Sequence, residues 1–400
     1  MYKILLFLST LTRIESAFLS ISDVLLGNGG STVQSSMTEV PGDYRVYWNV
    51  PTFMCHKYGL NFEEIQRDYG IIQNRNDDFR GENIAILYDP GQFPAILKSP
   101  NGSMYLRNGG VPQEGDLQKH LELFKVHVNE QISKDFSGVG VIDFESWRPI
   151  FRQNWASLAP YRDLSITIER RRHIFLSEKS IEREAIRRFE EAGRIYMEET
   201  IKLAKSMRPR ASWGYYAYPY CFNLTPQQMN WRCDEKIKKD NDRMQWLWKL
   251  EDVLLPSVYY KMTLSSNEKI GLIAGRLQES QRIIQRSSLS SVILPYFWYK
   301  YHDQGNNLLS EADVHDSFNA MASNGAAGHI IWGSSNDFTS KKKCEQFRDY
   351  LNNVLGPAVL EITKLSPRLT DFPRDNDNIF DDNIFSNKTE ELKVSVQQIN

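Results

Sequence analysis

Gly138-Val139-Gly140-Val141-Ile142-Asp143-Phe144-Glu145 is an apolar run that ends in two acids. Apolar character without interruption over so short a stretch marks a strand buried on both faces, as in parallel sheets covered by helices. Side chains two apart on a strand share a side, so Asp143 and Glu145 should project together, roughly 6.5–7 Å apart along the backbone. Outward from this stretch, between about Tyr44 and Gly356, short runs rich in Val, Ile and Tyr alternate with longer stretches of helical period. That alternation predicts an α/β fold with parallel strands and crossover helices. The strand candidates are 45–50, 70–73, 84–88, 138–144, 213–218, 255–259, 292–296 and 329–333. Eight candidates predict a (β/α) barrel, with 70–73 equally readable as loop or helix. The clearest helix, 177–207, opens at Ser177 and carries Ile181, Ala185, Phe189, Ala192, Ile195, Tyr196, Thr200 and Leu203 at spacings of three and four. Further helices are expected at 116–132, 233–254, 268–285, 310–323 and 340–355.

The 400 residues are 41% hydrophobic and 24% charged, enough apolar material for a large core. Lys and Arg number 48 against 50 Asp and Glu, a net charge of −2, which excludes the global basic surface of a nucleic-acid-binding protein. An anionic ligand must therefore be met by local arginines. No stretch reaches the ~18 apolar residues of a membrane span. Met1-Tyr2-Lys3, the apolar run 4–11 and the small residues Ser16 and Ala17 predict a signal peptide over 1–17, although Arg13 and Glu15 fit it poorly. A secreted, extracellular protein follows, with an N-terminal extension at 18–43 and a folded region at 44–365. The acidic stretch 366–400, with Pro367, Pro373 and the near-repeat Asp377-Asn378-Ile379-Phe380 and Asp382-Asn383-Ile384-Phe385, is expected to be a flexible tail. Asn101, Asn223 and Asn387 begin glycosylation sequons, in keeping with export. Cys55, Cys221, Cys233 and Cys344 lack a close metal-type pair and permit three disulfide pairings.

At the carboxyl end of a barrel strand, Asp143 and Glu145 would stand at the mouth, where such enzymes place catalytic groups. Desolvation and like charge both raise a carboxyl pKa, so one of the two could keep its proton and act as a general acid. Spacing alone is equally met by loop acids paired with Arg148 or Arg152. The aromatics favour catalysis on carbohydrate: Tyr215-Tyr216, Tyr259-Tyr260, Phe297-Trp298-Tyr299 and Trp332 all fall at strand ends. Singly each is better explained as packing, but together they would ring one mouth with faces on which sugars stack.

Six further blocks stand out: Tyr47-Trp48-Asn49-Val50-Pro51-Thr52-Phe53-Met54-Cys55, Arg107-Asn108-Gly109-Gly110-Val111-Pro112-Gln113, Gly140-Val141-Ile142-Asp143-Phe144-Glu145, Phe151-Arg152-Gln153-Asn154-Trp155, Trp213-Gly214-Tyr215-Tyr216 and Ile331-Trp332-Gly333-Ser334-Ser335. Together they closely resemble the animal hyaluronidases, above all those of insect venoms. The resemblance implies a distorted TIM-like (β/α) barrel of seven or eight parallel strands, one short of eight in that family. It implies a secreted endo-glycosidase that cuts the β-1,4 bond after N-acetylhexosamine in hyaluronan, with some action on chondroitin. By the same resemblance Glu145 is the acid and then the base, and Asp143 orients the substrate's N-acetyl group, whose carbonyl oxygen replaces a protein nucleophile. Tyr216, Tyr259 and Trp332 match positions around the acetamido sugar, Arg148 and Arg276 match basic positions, and Tyr88, Asp89, Ser334 and Ser335 are further groove candidates. The family's disulfides fall on Cys55–Cys344 and Cys221–Cys233. The partner implied is a glycosaminoglycan, with no metal, cofactor, nucleic acid or membrane. Ser146 stands where a basic residue is usual in the family, and His329 interrupts an apolar strand. Two other readings stay open: a chitinase-like hydrolase, disfavoured because that motif has Asp where this chain has Val141, and a non-catalytic glycan-binding relative.

Overall fold

The computed structural model describes residues 44–226 and 228–369, with side chains through 364. The expected leader at 1–17, the extension, nearly all of the acidic tail and the Asn387 sequon lie outside the described residues. Among the described residues ten strands are formed: β1 (Arg45–Asn49), β2 (Ile84–Tyr88), β3 (Ala95–Lys98), β4 (Met104–Arg107), β5 (Val139–Asp143), β6 (Ser212–Tyr215), β7 (Val253–Leu254), β8 (Val292–Ile293), β9 (Tyr296–Trp298) and β10 (Gly328–Trp332). Parallel ladders run β2–β5–β6, β7–β8 and β1–β10–β9. Single parallel bridges, Tyr216 to Leu255 and Ser257 to Tyr296, carry the order from β6 to β7 and from there to β9.

The ladders do not close into a ring. Between β1 and β2 no ladder is formed among the described residues. Ile72 pairs with β1, giving and taking one backbone hydrogen bond at 2.8 Å each, while the Asn74 side chain binds both backbone groups of Ile84, at 2.9 and 3.1 Å. The 70–73 candidate is therefore one bridge residue and not a strand. Gly70 precedes it at φ 70°, the left-handed conformation that ends the short helix Ile65–Tyr69.

Elsewhere proline sets the strand limits. Pro256 ends the 255–259 candidate, and Pro295 splits 292–296 into β8 and β9, because proline cannot donate to a ladder. The antiparallel pair β3–β4, the helix Ala159–Arg172 and the helix Gly356–Leu369 escape the sequence reading. The 233–254 helix breaks into Glu235–Arg243 and Gln245–Trp248, and its last residues are β7.

The helix Glu178–Met207 forms as its period dictates. Ser177 caps it by accepting from the Ser180 backbone N–H, and Ile181, Ala185, Phe189, Tyr196 and Thr200 are buried along one face. Two apolar clusters make the core. One joins β1, β9 and β10 to the last helices, and the other joins β2, β5 and β6 to Glu178–Met207. His329 is wholly buried in β10, hydrogen-bonded to the Tyr44 hydroxyl at 3.0 Å, and burial pushes its pKa down to about 3, so it is a neutral core residue.

Both disulfides form as the resemblance implied, Cys55–Cys344 and Cys221–Cys233. The first spans 289 residues and ties the loop after β1 to the helix Lys341–Tyr350. A loop that long constrains the unfolded chain strongly in the entropic picture. The double variant Cys55→Ala/Cys344→Ala should lose about 2–5 kcal/mol of unfolding free energy, read from denaturant titrations with the second disulfide intact.

Candidate active site

Phe144 orients the acids. It is buried, stacked on Phe93 at 4.0 Å between ring centroids and edge-on to Trp147 at 4.8 Å. With Phe144 turned into the core behind the sheet, its neighbours Asp143 and Glu145 turn the other way. Asp143 closes β5 opposite Tyr88 of β2, and its carbonyl accepts from the Asp89 N–H at 2.7 Å. Glu145 lies two residues beyond and is exposed, while Asp143 is half-buried.

No protein group among the described residues donates a hydrogen bond to either carboxyl. Burial first, then the charges of Glu145 and Asp89, push Asp143 up to about 8. Burial also raises Glu145, while the nearby Arg148 guanidinium pulls it down. The pair thus holds an unspent hydrogen-bonding capacity.

Asp89 is different. It sits at φ 43°, a costly conformation for a non-glycine residue, and Arg107 clamps both its oxygens at 2.5 and 2.8 Å. Its place is beside the site, holding the β2 turn.

Partly exposed aromatic rings flank the acids. Tyr216 follows β6, its ring 5.1 Å from Tyr296 and 6.4 Å from Tyr259. Tyr259 stacks on Trp332 at 6.0 Å and meets Trp298 at 5.9 Å. The Trp332 indole N–H donates to the Tyr88 hydroxyl at 2.9 Å, which closes the wall back to β2. Tyr296 donates from its hydroxyl to Asn49 at 3.2 Å. The structure thus gathers Tyr88, Tyr216, Tyr259 and Trp332 around the acids. Tyr296 and Asn49 are additions: Tyr296 shares a side of β9 with Trp298 while Phe297 enters the core, a two-residue alternation that could have revealed it, and Tyr215, Tyr260, Phe297 and Tyr299, expected at the same mouth, are buried in the two core clusters instead.

The arginines differ in setting. Arg148 donates to the Gln153 carbonyl at 2.7 Å, and its guanidinium lies 4.8, 4.9 and 5.5 Å from the ring centroids of Tyr220, Phe222 and Trp155. This cage fixes a cation beside Glu145. It draws on a loop after β6 that has no sequence period to announce it. Arg276 donates to Asn223 Oδ1 at 3.0 Å and the Ser257 carbonyl at 2.6 Å, and burial lowers it to about 10. Ser334 caps the turn Ser335–Phe338 by accepting from the Asn336 N–H, and Ser335 is exposed at its start.

Asn223 corrects one expectation. Its side chain is fully buried, donating to the Trp231 and Leu272 carbonyls at 2.6 and 3.1 Å, so the folded protein offers no amide there for a glycan. Asn101 is exposed in the β3–β4 turn. Glu169, His173 and Glu184 place three potential metal-ligand atoms within 4.8 Å of one another, but Arg188 and Arg187 already engage the two carboxylates.

A carboxyl raised to about 8 in the fold holds a proton that the unfolded chain gives up near pH 4. Between those pH values the folded state binds more protons, so stability falls as pH rises. Asp143→Asn cannot ionise. It should be more stable than the parent by about 1 kcal/mol or more at pH 8, with the gap closing toward pH 4, in denaturant titrations across that range.

A hyaluronidase family model matches residues 34–368. The hyaluronidase of Apis mellifera is 57% identical over 344 residues, covering 86% of this chain and 90% of that one. Hyaluronidase B of Vespa velutina is 48% identical over 80% of this chain and 97% of its own, and a protein of Vespula vulgaris named inactive hyaluronidase B is 42% identical over 80% and 94%. The crystal structure of bee venom hyaluronidase in complex with a hyaluronic acid tetramer superposes with a TM-score of 0.79 at 58% identity, over 80% of this chain and 99% of that one. Matched over most of its length by the family model, by these relatives and by a solved structure, the chain belongs to the hyaluronidase family of glycoside hydrolases, family 56.

Proposed function

We propose that this protein is a secreted endo-glycosidase that hydrolyses hyaluronan, and chondroitin as well, at the β-1,4 bond after N-acetylhexosamine. The observation that carries the reading is the acid pair: two carboxyls raised by burial, without hydrogen-bond donors among the described residues, together at the end of β5 and flanked by Tyr216, Tyr259 and Trp332, which are taken to wall a furrow. The open run of parallel strands is taken as a distorted barrel, its β1–β2 seam stitched by Ile72 and Asn74. Residues 44–365 are the catalytic unit.

Two acids issuing from one strand stand on the same side of a bound bond, whereas a nucleophile and an acid must flank it. Glu145 therefore protonates the glycosidic oxygen as the bond to the anomeric carbon breaks. The acetamide carbonyl oxygen of the same sugar attacks that carbon, while Asp143, which keeps its proton below about pH 8, accepts the acetamide N–H through its carbonyl oxygen and holds the acetamide in line. Glu145, now ionised, removes a proton from water, which opens the cyclic intermediate with net retention. Tyr216 and Tyr259 enclose the acetamido sugar, with Trp332 under its face. Arg148 and Arg276 meet the carboxylates of alternate sugars. Tyr88, Ser334 and Ser335 line the rest of the groove, and Asp89, expected there as well, instead holds the turn beside it through Arg107.

The 42% identity to a relative named inactive keeps a non-catalytic glycan-binding reading in view. Clearing of a hyaluronan gel by the purified protein separates the two.

General acid catalysis contributes about 10²–10⁴-fold. Glu145→Gln should lower hyaluronan turnover at least about 100-fold with an unchanged far-ultraviolet spectrum; normal turnover would remove the mechanism. Arg148 holds the Glu145 pKa down, and the alkaline fall of kcat/KM marks the loss of the Glu145 proton. Arg148→Met should move that limb to higher pH, whatever it does to KM.

A further inference from the structure

The turn between the helices Ala159–Arg172 and Glu178–Met207 exposes three consecutive large apolar side chains: Ile174 at 74%, Phe175 at 95% and Leu176 at 45%. Folded proteins leave single apolar residues in water, but a contiguous bulky group marks a contact surface. Around it stand Arg170, Arg171 and Arg172 in the last turn of the first helix, and Lys179 and Arg183 in the first turns of the second. Against these five cations, residues 170–183 contain two acids, Glu178 and Glu182. Glu178 is paired with Arg170, and Arg172 is paired with Glu114. Arg171 is exposed and has no ion-pair partner among the described residues.

Topology places this tip on the catalytic side. The helix Glu178–Met207 has 30 residues, about 45 Å of rise. Its carboxyl end leads into the start of β6, so its amino end points the way the parallel strands point. Phe189 packs edge-on to Trp147 and Phe151, at 5.9 and 5.4 Å, level with the loop that follows Glu145. Glu178 lies another three turns of helix, about 16 Å, beyond that level.

We propose that the Ile174-Phe175-Leu176 tip docks on anionic phospholipid surfaces, with the arginine collar at the headgroups and Phe175 in the interfacial region. Charge complementarity selects the occupant. Each Lys or Arg close to an anionic surface raises partitioning about fivefold, and the apolar tip adds the hydrophobic transfer that a purely ionic contact lacks. Phe175 alone offers a flat face, and the branched aliphatic chains of Ile174 and Leu176 beside it suit an acyl interface better than the polar edges of a sugar. The excess of positive over negative side chains in 170–183 repels a second copy of the tip. Docking in this orientation holds the furrow toward the surface. The inference does not require the catalytic reading, and a lipid test leaves that reading untouched.

The test is co-sedimentation of the purified full-length chain with vesicles of phosphatidylcholine alone and of phosphatidylcholine with one third phosphatidylserine. Binding should be confined to the phosphatidylserine vesicles and weaken with salt. Phe175→Asp should reduce it at least tenfold and Arg171→Glu about fivefold or more, each leaving turnover of soluble hyaluronan unchanged. No binding to either vesicle, or equal binding by Phe175→Asp, would overturn the proposal. So would two other results: retention only on vesicles bearing tethered hyaluronan, or a lipid-free dimer that Phe175→Asp dissociates.

Discussion

The burial of one phenylalanine sets the chemistry of this chain. Phe144 is locked among Phe93, Trp147 and the helix behind the sheet, and a strand cannot turn one side chain inward without turning its neighbours outward. Two carboxyls are thereby forced together, with no cation among the described residues placed to neutralise both. The fold tolerates that arrangement because its stability resides elsewhere, in two apolar clusters and a disulfide that spans most of the folded region.

The surroundings then distinguish the two acids. Asp143 sits deeper and feels both Glu145 and Asp89, whereas Glu145 has Arg148 at its side and water within reach. A caged arginine next to an acid tempers the rise that burial imposes, which suits a group that must give up its proton and recover it within one cycle. The cage itself, built from Trp155, Tyr220 and Phe222, links the furrow to the Cys221–Cys233 loop and gives that small disulfide a place in the account.

Much of this was legible in the sequence where local physics decides. The run 139–143, the strand 84–88 and the helix beginning at Ser177 each carry a period, a cap or an apolar stretch that leaves little choice. The acid pair was visible for the same reason, since strand alternation alone puts 143 and 145 together. What escaped depends on contacts distant in sequence. Asn74 bonding Ile84, Arg107 clamping Asp89 and Tyr220 covering Arg148 leave no periodic trace. Proline in 255–259 and 292–296 cut strands that composition alone drew as continuous. The Asn223 triplet has the form of a glycan acceptor, and only the fold shows its amide already spent on two carbonyls and Arg276.

The central claim is that both acids work from one side of the bond while the substrate's own acetamide closes on the other. Proton magnetic resonance of freshly cut hyaluronan, recorded before the new reducing end equilibrates, measures this directly. The account predicts that the β-anomer of the N-acetylhexosamine appears first; an initial α-anomer would mean that water attacks in a single displacement, and the proposed division of labour between Asp143 and Glu145 would be wrong.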